Sequence, residues 1–143
     1  MRAMVLPILV LLTGPVAADE VIPGPIPATV LRVIDGDTVS VRARVWLGQD
    51  IETSVRIAGI DTPELYRPGC EDEARLAAEA RDRLVELLGD GPVWLHDIAY
   101  GTYAGRVVAR VESASGTDVA EPLLSAGLAR AYDGRQARAP WCP

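Results

Sequence analysis

Val33-Ile34-Asp35-Gly36-Asp37-Thr38-Val39-Ser40-Val41-Arg42-Ala43-Arg44-Val45 is the stretch whose reading decides the fold. After the Asp35-Gly36-Asp37 turn, Val39, Val41, Ala43 and Val45 alternate with Ser40, Arg42 and Arg44. Alternation of period two buries one face of an extended chain and wets the other, so residues 38–45 read as a half-buried β-strand. Aspartate and glycine suit the turn, one by bonding its own backbone and the other by its conformational freedom. Upstream, residues 28–34 (ATVLRVI) are rich in β-branched side chains and make a first strand. Downstream, Gly48-Gln49-Asp50 turns the chain into a third strand over residues 51–60. The three form a meander around the acidic turn.

The pattern then changes. Residues 63–69 are irregular, with two prolines. A helix follows over residues 71–88, with Glu71, Asp72 and Glu73 in its first turn, where the helix dipole favours acids. Ala77, Ala80, Leu84, Leu87 and Leu88 share one stripe, and Gly89 sits at the stop. Residues 93–98 and 106–112 read as a fourth and a fifth strand. Asp118 can cap a short helix through Ser125, ended by Gly127. This is an α+β chain, mainly β. Its strand–helix layout is that of a five-stranded OB-fold β-barrel with a helix between strands 3 and 4 and a short C-terminal helix.

The N-terminus has a different character. Met1-Arg2 precedes an apolar run, residues 3–12, then Val16-Ala17-Ala18 and the polar pair Asp19-Glu20. A positive start, an apolar run of that length and small residues before the junction read as a secretory signal peptide over residues 1–18. Pro7 and Pro15 oppose the alternative of a buried helix. No cysteine stands near the junction, so no lipid or membrane anchor is expected in the mature form. Residues 19–27 read as an extended leader without packing of its own, and residues 28–143 as a single domain. The mature chain of about 125 residues is long enough for one core. A monomer is expected, exported to the periplasm or secreted.

The 143 residues carry 14 basic and 20 acidic side chains, a net charge of −6, and Arg2 leaves with the leader. An acidic balance weighs mildly against a nucleic-acid ligand, although a local arginine cluster and a bound cation can still hold one. Every basic residue is arginine. Cys70 and Cys142 read as a disulfide in an oxidising compartment, against the alternative of two inert thiols. The bridge would close a loop of about 70 residues, worth roughly 4 kcal/mol in the chain-entropy model.

Two acidic turns carry the chemistry: residues 34–39 (IDGDTV) and residues 56–64 (RIAGIDTPE). Each puts a carboxylate at the edge of a strand. If the edges meet, Asp37 and Asp61 offer hard oxygens to one cation, suited to Ca²⁺ or Mg²⁺ rather than zinc. His96, the one histidine, reads as a polar residue on a strand. Taken singly, Glu64, Arg56 and Arg106 are surface residues. Their joint order, DGDT, then R-x-x-x-x-DTPE, then an arginine opening a later strand, is what raises the signal.

In that order the chain resembles the staphylococcal-nuclease-like (thermonuclease) family from about Thr29 to Tyr132. The resemblance rests on residues 33–39, Val55-Arg56-Ile57, residues 60–64, Gly105-Arg106-Val107 and Gly127-Leu128-Ala129. It implies that Asp37 and Asp61 bind Ca²⁺ through carboxylates and Thr62 through its backbone carbonyl. It implies Glu64 as general base on the attacking water, and Arg56 and Arg106 as the grip on the scissile phosphate. The implied reaction is hydrolysis of DNA and RNA to 3′-phosphate ends. Three departures stand out. An extra residue separates Tyr103 from Arg106, the family's base-stacking tyrosines have only an approximate match in Tyr132, and the family's long C-terminal helix is missing. A Cys70–Cys142 bridge would replace that helix as a tie for the C-terminus. The alternative function is a non-catalytic OB-fold module binding nucleic acid or another ligand.

Overall fold

The computed structural model describes residues 20–102 and 105–143. The signal peptide expected over residues 1–18 lies outside the described residues. The elements in order are β1 (Val21–Ile22), β2 (Ile26–Val33), β3 (Thr38–Trp46), β4 (Gln49–Ile57), β5 (Ile60–Asp61), α1 (Glu71–Leu88), β6 (Val93–Tyr100), β7 (Arg106–Glu112), α2 (Ala120–Ser125) and β8 (Arg130–Ala131).

Strands β2, β3 and β4 are the expected antiparallel meander. β4 pairs in parallel with β7, β7 antiparallel with β6, and β6 antiparallel with β2. That last pairing closes a five-stranded OB barrel. Register slips at Leu31 and around Asp97–Ile98 bend the two strands the barrel must curve. Val39, Val41, Ala43, Val55, Ile57, Leu95, Ala109 and Val111 fill the interior. Helix α1 lays Ala77, Ala80, Leu84 and Leu88 against one end of the barrel. Among the described residues no helix is long and apolar enough to cross a membrane.

Three expectations are corrected. Residues 21–27 are not an unpacked leader: Val21–Ile22 pair with Ala99 and Ile98, and Ile26–Pro27 pair with Leu95 and Trp94. Pro23 and Pro25 interrupt the ladder without ending it, because the chain pairs with β6 on either side of them. The third strand stops at Ile57 rather than Ile60. The Ala58-Gly59 turn redirects Ile60–Asp61 to pair with Arg130–Ala131, two strands too short to show a pattern. Asp118 stands one residue too early to be the N-cap of α2, which is Val119, although its Oδ1 accepts the Ala120 N–H at 3.1 Å. Cys70 and Cys142 are joined as a disulfide across 72 residues, which fastens the C-terminal tail to the start of α1.

Candidate active site

The acidic turn between β2 and β3 is held from several sides. Ile34 N–H and Asp35 N–H both donate to the Thr38 carbonyl, and Asp37 N–H donates to Asp35 Oδ1 at 3.0 Å. The Asp37 carbonyl accepts the Ile57 N–H at 2.8 Å, which ties the turn to the end of β4. Gly36 makes this docking possible. A Cβ there would stand 2.8 Å from Ala80 Cβ and 2.9 Å from Thr62 Cβ, so only glycine lets the turn slide between α1 and the second acidic turn.

That docking buries Asp37 and Asp61, at 3% and 4% exposure. Buried charges need partners, and Arg56 supplies the common one. It lies opposite Thr38 near the end of β4. Its Nη1 donates to Asp37 Oδ1 at 2.8 Å, and its Nη2 reaches the Ile60 carbonyl at 3.1 Å and Asp61 Oδ1 at 3.3 Å. Asp37 also accepts the Thr38 hydroxyl at Oδ1 and the Thr62 N–H at Oδ2. One guanidinium therefore bridges the two carboxylates that the sequence placed 24 positions apart. Asp35, beside this pair, is pushed up to about 6 by burial and by the charge of Asp37.

Glu64 follows one turn later. Its Oε1 accepts the Tyr66 N–H at 3.0 Å, while its own N–H donates to Glu73 Oε1. Glu73, buried in the first turn of α1, also accepts the Gly69 N–H at 2.7 Å. The Gly69 and Glu64 amides together hold its carboxyl below the usual glutamate range. The loop carrying Glu64 is thus pinned by a structural acid that sequence reasoning had given only a dipole role. Arg106 opens β7 opposite Ser54 in the parallel β4–β7 ladder, which puts it on the same outward face of the sheet as Arg56. Tyr132 lies beside Arg56, whose guanidinium carbon stands 5.8 Å from the ring centroid, and its hydroxyl donates to the Gln136 carbonyl. Tyr103 lies outside the described residues.

The C-terminal tail adds residues the sequence did not single out. Arg138 Nε pairs with Asp61 Oδ1 at 2.5 Å, and its Nη2 donates to the Thr62 carbonyl at 3.1 Å. Trp141 Nε1 donates to Asp61 Oδ2 at 3.3 Å. Arg130 stacks on the Trp141 ring at 3.9 Å and donates to the Pro140 carbonyl. Burial pulls the Arg138 guanidinium down, but Asp61, Asp37 and Glu64 outweigh it and hold it above the usual arginine value. The tail showed neither period nor motif. The one signal available was Cys142, whose bridge to Cys70 brings Arg138 within four residues of a fixed point. A cleft of about 290 Å³ lies between Glu64, Glu73, Arg138 and Trp141. A larger cavity, about 530 Å³, lies between β2 and the end of α1 and is not lined by Asp37, Asp61 or Glu64.

The donor set fits a hard divalent cation. Two carboxylates and a backbone carbonyl converge, all oxygen, and two guanidiniums already stand on those oxygens as the positive charge the acids demand. On the same outer face, Arg56 and Arg106 offer planar donors that match phosphate oxygens. An OB barrel so equipped falls in the class of nuclease-type and nucleic-acid-binding OB domains. The match to known families is specific: the family described as staphylococcal nuclease homologue matches residues 54–140, more than half of the chain. The chain belongs to that family. A search of the curated proteins gave no match.

Proposed function

We propose that the chain is an exported, calcium-dependent nuclease hydrolysing phosphodiester bonds of DNA, RNA or both. The observation that carries the reading is Arg56 bridging Asp37 and Asp61, with Thr62 and Glu64 on the same turn. Bound Ca²⁺ would neutralise a phosphate oxygen and act as a Lewis acid. Asp37, Asp61 and the Thr62 carbonyl are the groups that would hold it. Glu64 takes a proton from the attacking water, whose oxygen bonds to phosphorus while the bond to the 5′ oxygen breaks and that oxygen takes up a proton from solvent. The products are a 3′-phosphate and a 5′-hydroxyl. Arg56 and Arg106 bear the negative charge that builds on the non-bridging oxygens. Arg56 has five N–H groups and spends only some of them on its acids, which leaves donors for phosphate. Export is supported by the leader pattern of residues 1–18 and by the disulfide, which suits an oxidising compartment.

Glu64→Gln keeps shape and removes the proton acceptor. Its hydrolysis rate is expected to fall roughly 100- to 10,000-fold with calcium affinity held within about twofold. Arg106→Lys is expected to stay roughly 100-fold or more below wild type, since one ammonium cannot copy a planar fork. Rates near wild type in these variants would remove the two side chains from the chemistry.

A further inference from the structure

Two of the three groups that would hold calcium are already occupied by the protein's own tail. Asp61 Oδ1 takes both Arg56 Nη2 and Arg138 Nε, and Asp61 Oδ2 takes the Trp141 indole N–H. A carboxylate offers about four lone-pair sites, so Asp61 has little capacity left for a cation. The Thr62 carbonyl, the third donor of the set, accepts Arg138 Nη2. Arg138 therefore sits on two of the three donors at once. Arg56 is the fixed partner, set in a strand at 18% side-chain exposure and bonded to Ile60 as well. Arg138 is the removable one, at 45% side-chain exposure on a segment without regular structure.

The tail is nevertheless not loose. Cys142 is bonded to Cys70 at the start of α1, and Arg130 clasps Trp141 and the Pro140 carbonyl from the other side. Residues 140–142 are thus held by the bridge and by Arg130, and on the other side of Arg138 the Gln136 carbonyl accepts the Tyr132 hydroxyl, which keeps the segment over Asp61. Tethering of this kind turns an exposed ion pair, weak between free partners, into an intramolecular contact with a high effective concentration.

We infer that Arg138 is a built-in competitor for the divalent cation: the disulfide-fastened tail lays its guanidinium on Asp61 and the Thr62 carbonyl, and calcium enters only as Arg138 leaves. The inference rests on the reading of Asp37, Asp61 and Thr62 as the calcium donors. It makes calcium affinity a function of the Cys70–Cys142 bond, so that the reduced protein takes up the ion more readily than the oxidised one. If the docked tail accounts for about nine-tenths of the molecules, it weakens apparent calcium affinity about tenfold.

The test is calorimetric titration of Ca²⁺ into the exported chain without nucleic acid, comparing wild type, Arg138→Gln and the double variant Cys70→Ser/Cys142→Ser. Arg138→Gln is expected to bind about tenfold more tightly. The double serine variant is expected to fall between the two, because it keeps the guanidinium and loses the tether. A heteronuclear spectrum gives a second readout: the Trp141 indole N–H signal is expected to shift as Ca²⁺ is added to wild type. Equal or weaker affinity in Arg138→Gln, or an indole signal that calcium does not move, overturns the competition. Affinity in the double serine variant equal to wild type overturns the part assigned to the disulfide. If no variant binds Ca²⁺ at all, the calcium site itself is wrong and the competition falls with it, an outcome distinct from binding with equal affinity.

Discussion

The β3–β4 hairpin carries arginine–acid pairs at both ends, and the two ends have opposite meanings. At the far end Arg42 bonds Glu52 at 2.7 Å, with side-chain exposures of 51% and 59%, and Arg44 pairs with Asp50 in the same open setting. At the near end Arg56 bonds Asp37 at a similar distance, but with exposures of 18% and 4%. The geometry is alike and the solvent differs. Exposed pairs contribute little, because solvent screens them and holding two long side chains costs entropy. A buried pair carries a desolvation cost that its own attraction barely repays. A barrel that needed only stability would do as well with apolar residues at the near end. On the proposed function, buried charge is kept at the near end for a ligand.

Truncating the arginine at each end separates the two settings. Arg56→Ala leaves Asp37 buried beside Asp61 without its guanidinium and is expected to cost about 3 kcal/mol. Arg42→Ala is expected to cost less than about 0.5 kcal/mol. Urea unfolding in the presence of chelator reads both. Equal midpoints would erase the distinction between the two ends.

A smaller effect tests whether every buried acid here serves the ligand. Glu73 accepts two backbone N–H groups and, among the described residues, no arginine side chain hydrogen-bonds to it, so its work is to hold the loop of Glu64. Glu73→Gln places an amide N–H₂ against one of those donors and is expected to cost about 2 kcal/mol at neutral pH. Its carboxyl is depressed in the folded state, so the stabilisation is present above the ordinary glutamate value of 4.5 and is lost as pH falls through the lower folded value. The gap between wild type and variant should therefore narrow below pH 4.5 and stay constant above it. A gap that widens in acid would contradict the assignment of Glu73 as a charged acceptor.

How far these regions could be read in advance follows from how local their physics is. Strand β3 and helix α1 were legible because each buries one face, and burial writes a period into the sequence: Val39, Val41 and Ala43 in the first, Ala77, Ala80, Leu84 and Leu88 in the second. The paired acids were legible because turns prefer aspartate and glycine, and because the order of the motifs matches a family. The β5–β8 pair was not legible, since two residues cannot show alternation. Nor was the packing of residues 21–27, where prolines mark a break but say nothing about what lies alongside. Arg138 and Trp141 were out of reach for a different reason. Their role exists only after the Cys70–Cys142 bond brings the last residues of the chain over Asp61, a contact between positions about 80 residues apart.

The proposed function requires Asp37, Asp61, Glu64, Arg56 and Arg106 to form one hydrolytic centre working with calcium. The most direct measurement is digestion of plasmid DNA and of RNA by the purified exported chain, with Ca²⁺ and with excess chelator, followed by analysis of the ends produced. The expected result is rapid cleavage to 3′-phosphate ends with Ca²⁺ and loss of cleavage in chelator. Binding of nucleic acid without cleavage under both conditions would contradict the account and leave an OB barrel that holds its ligand without cutting it.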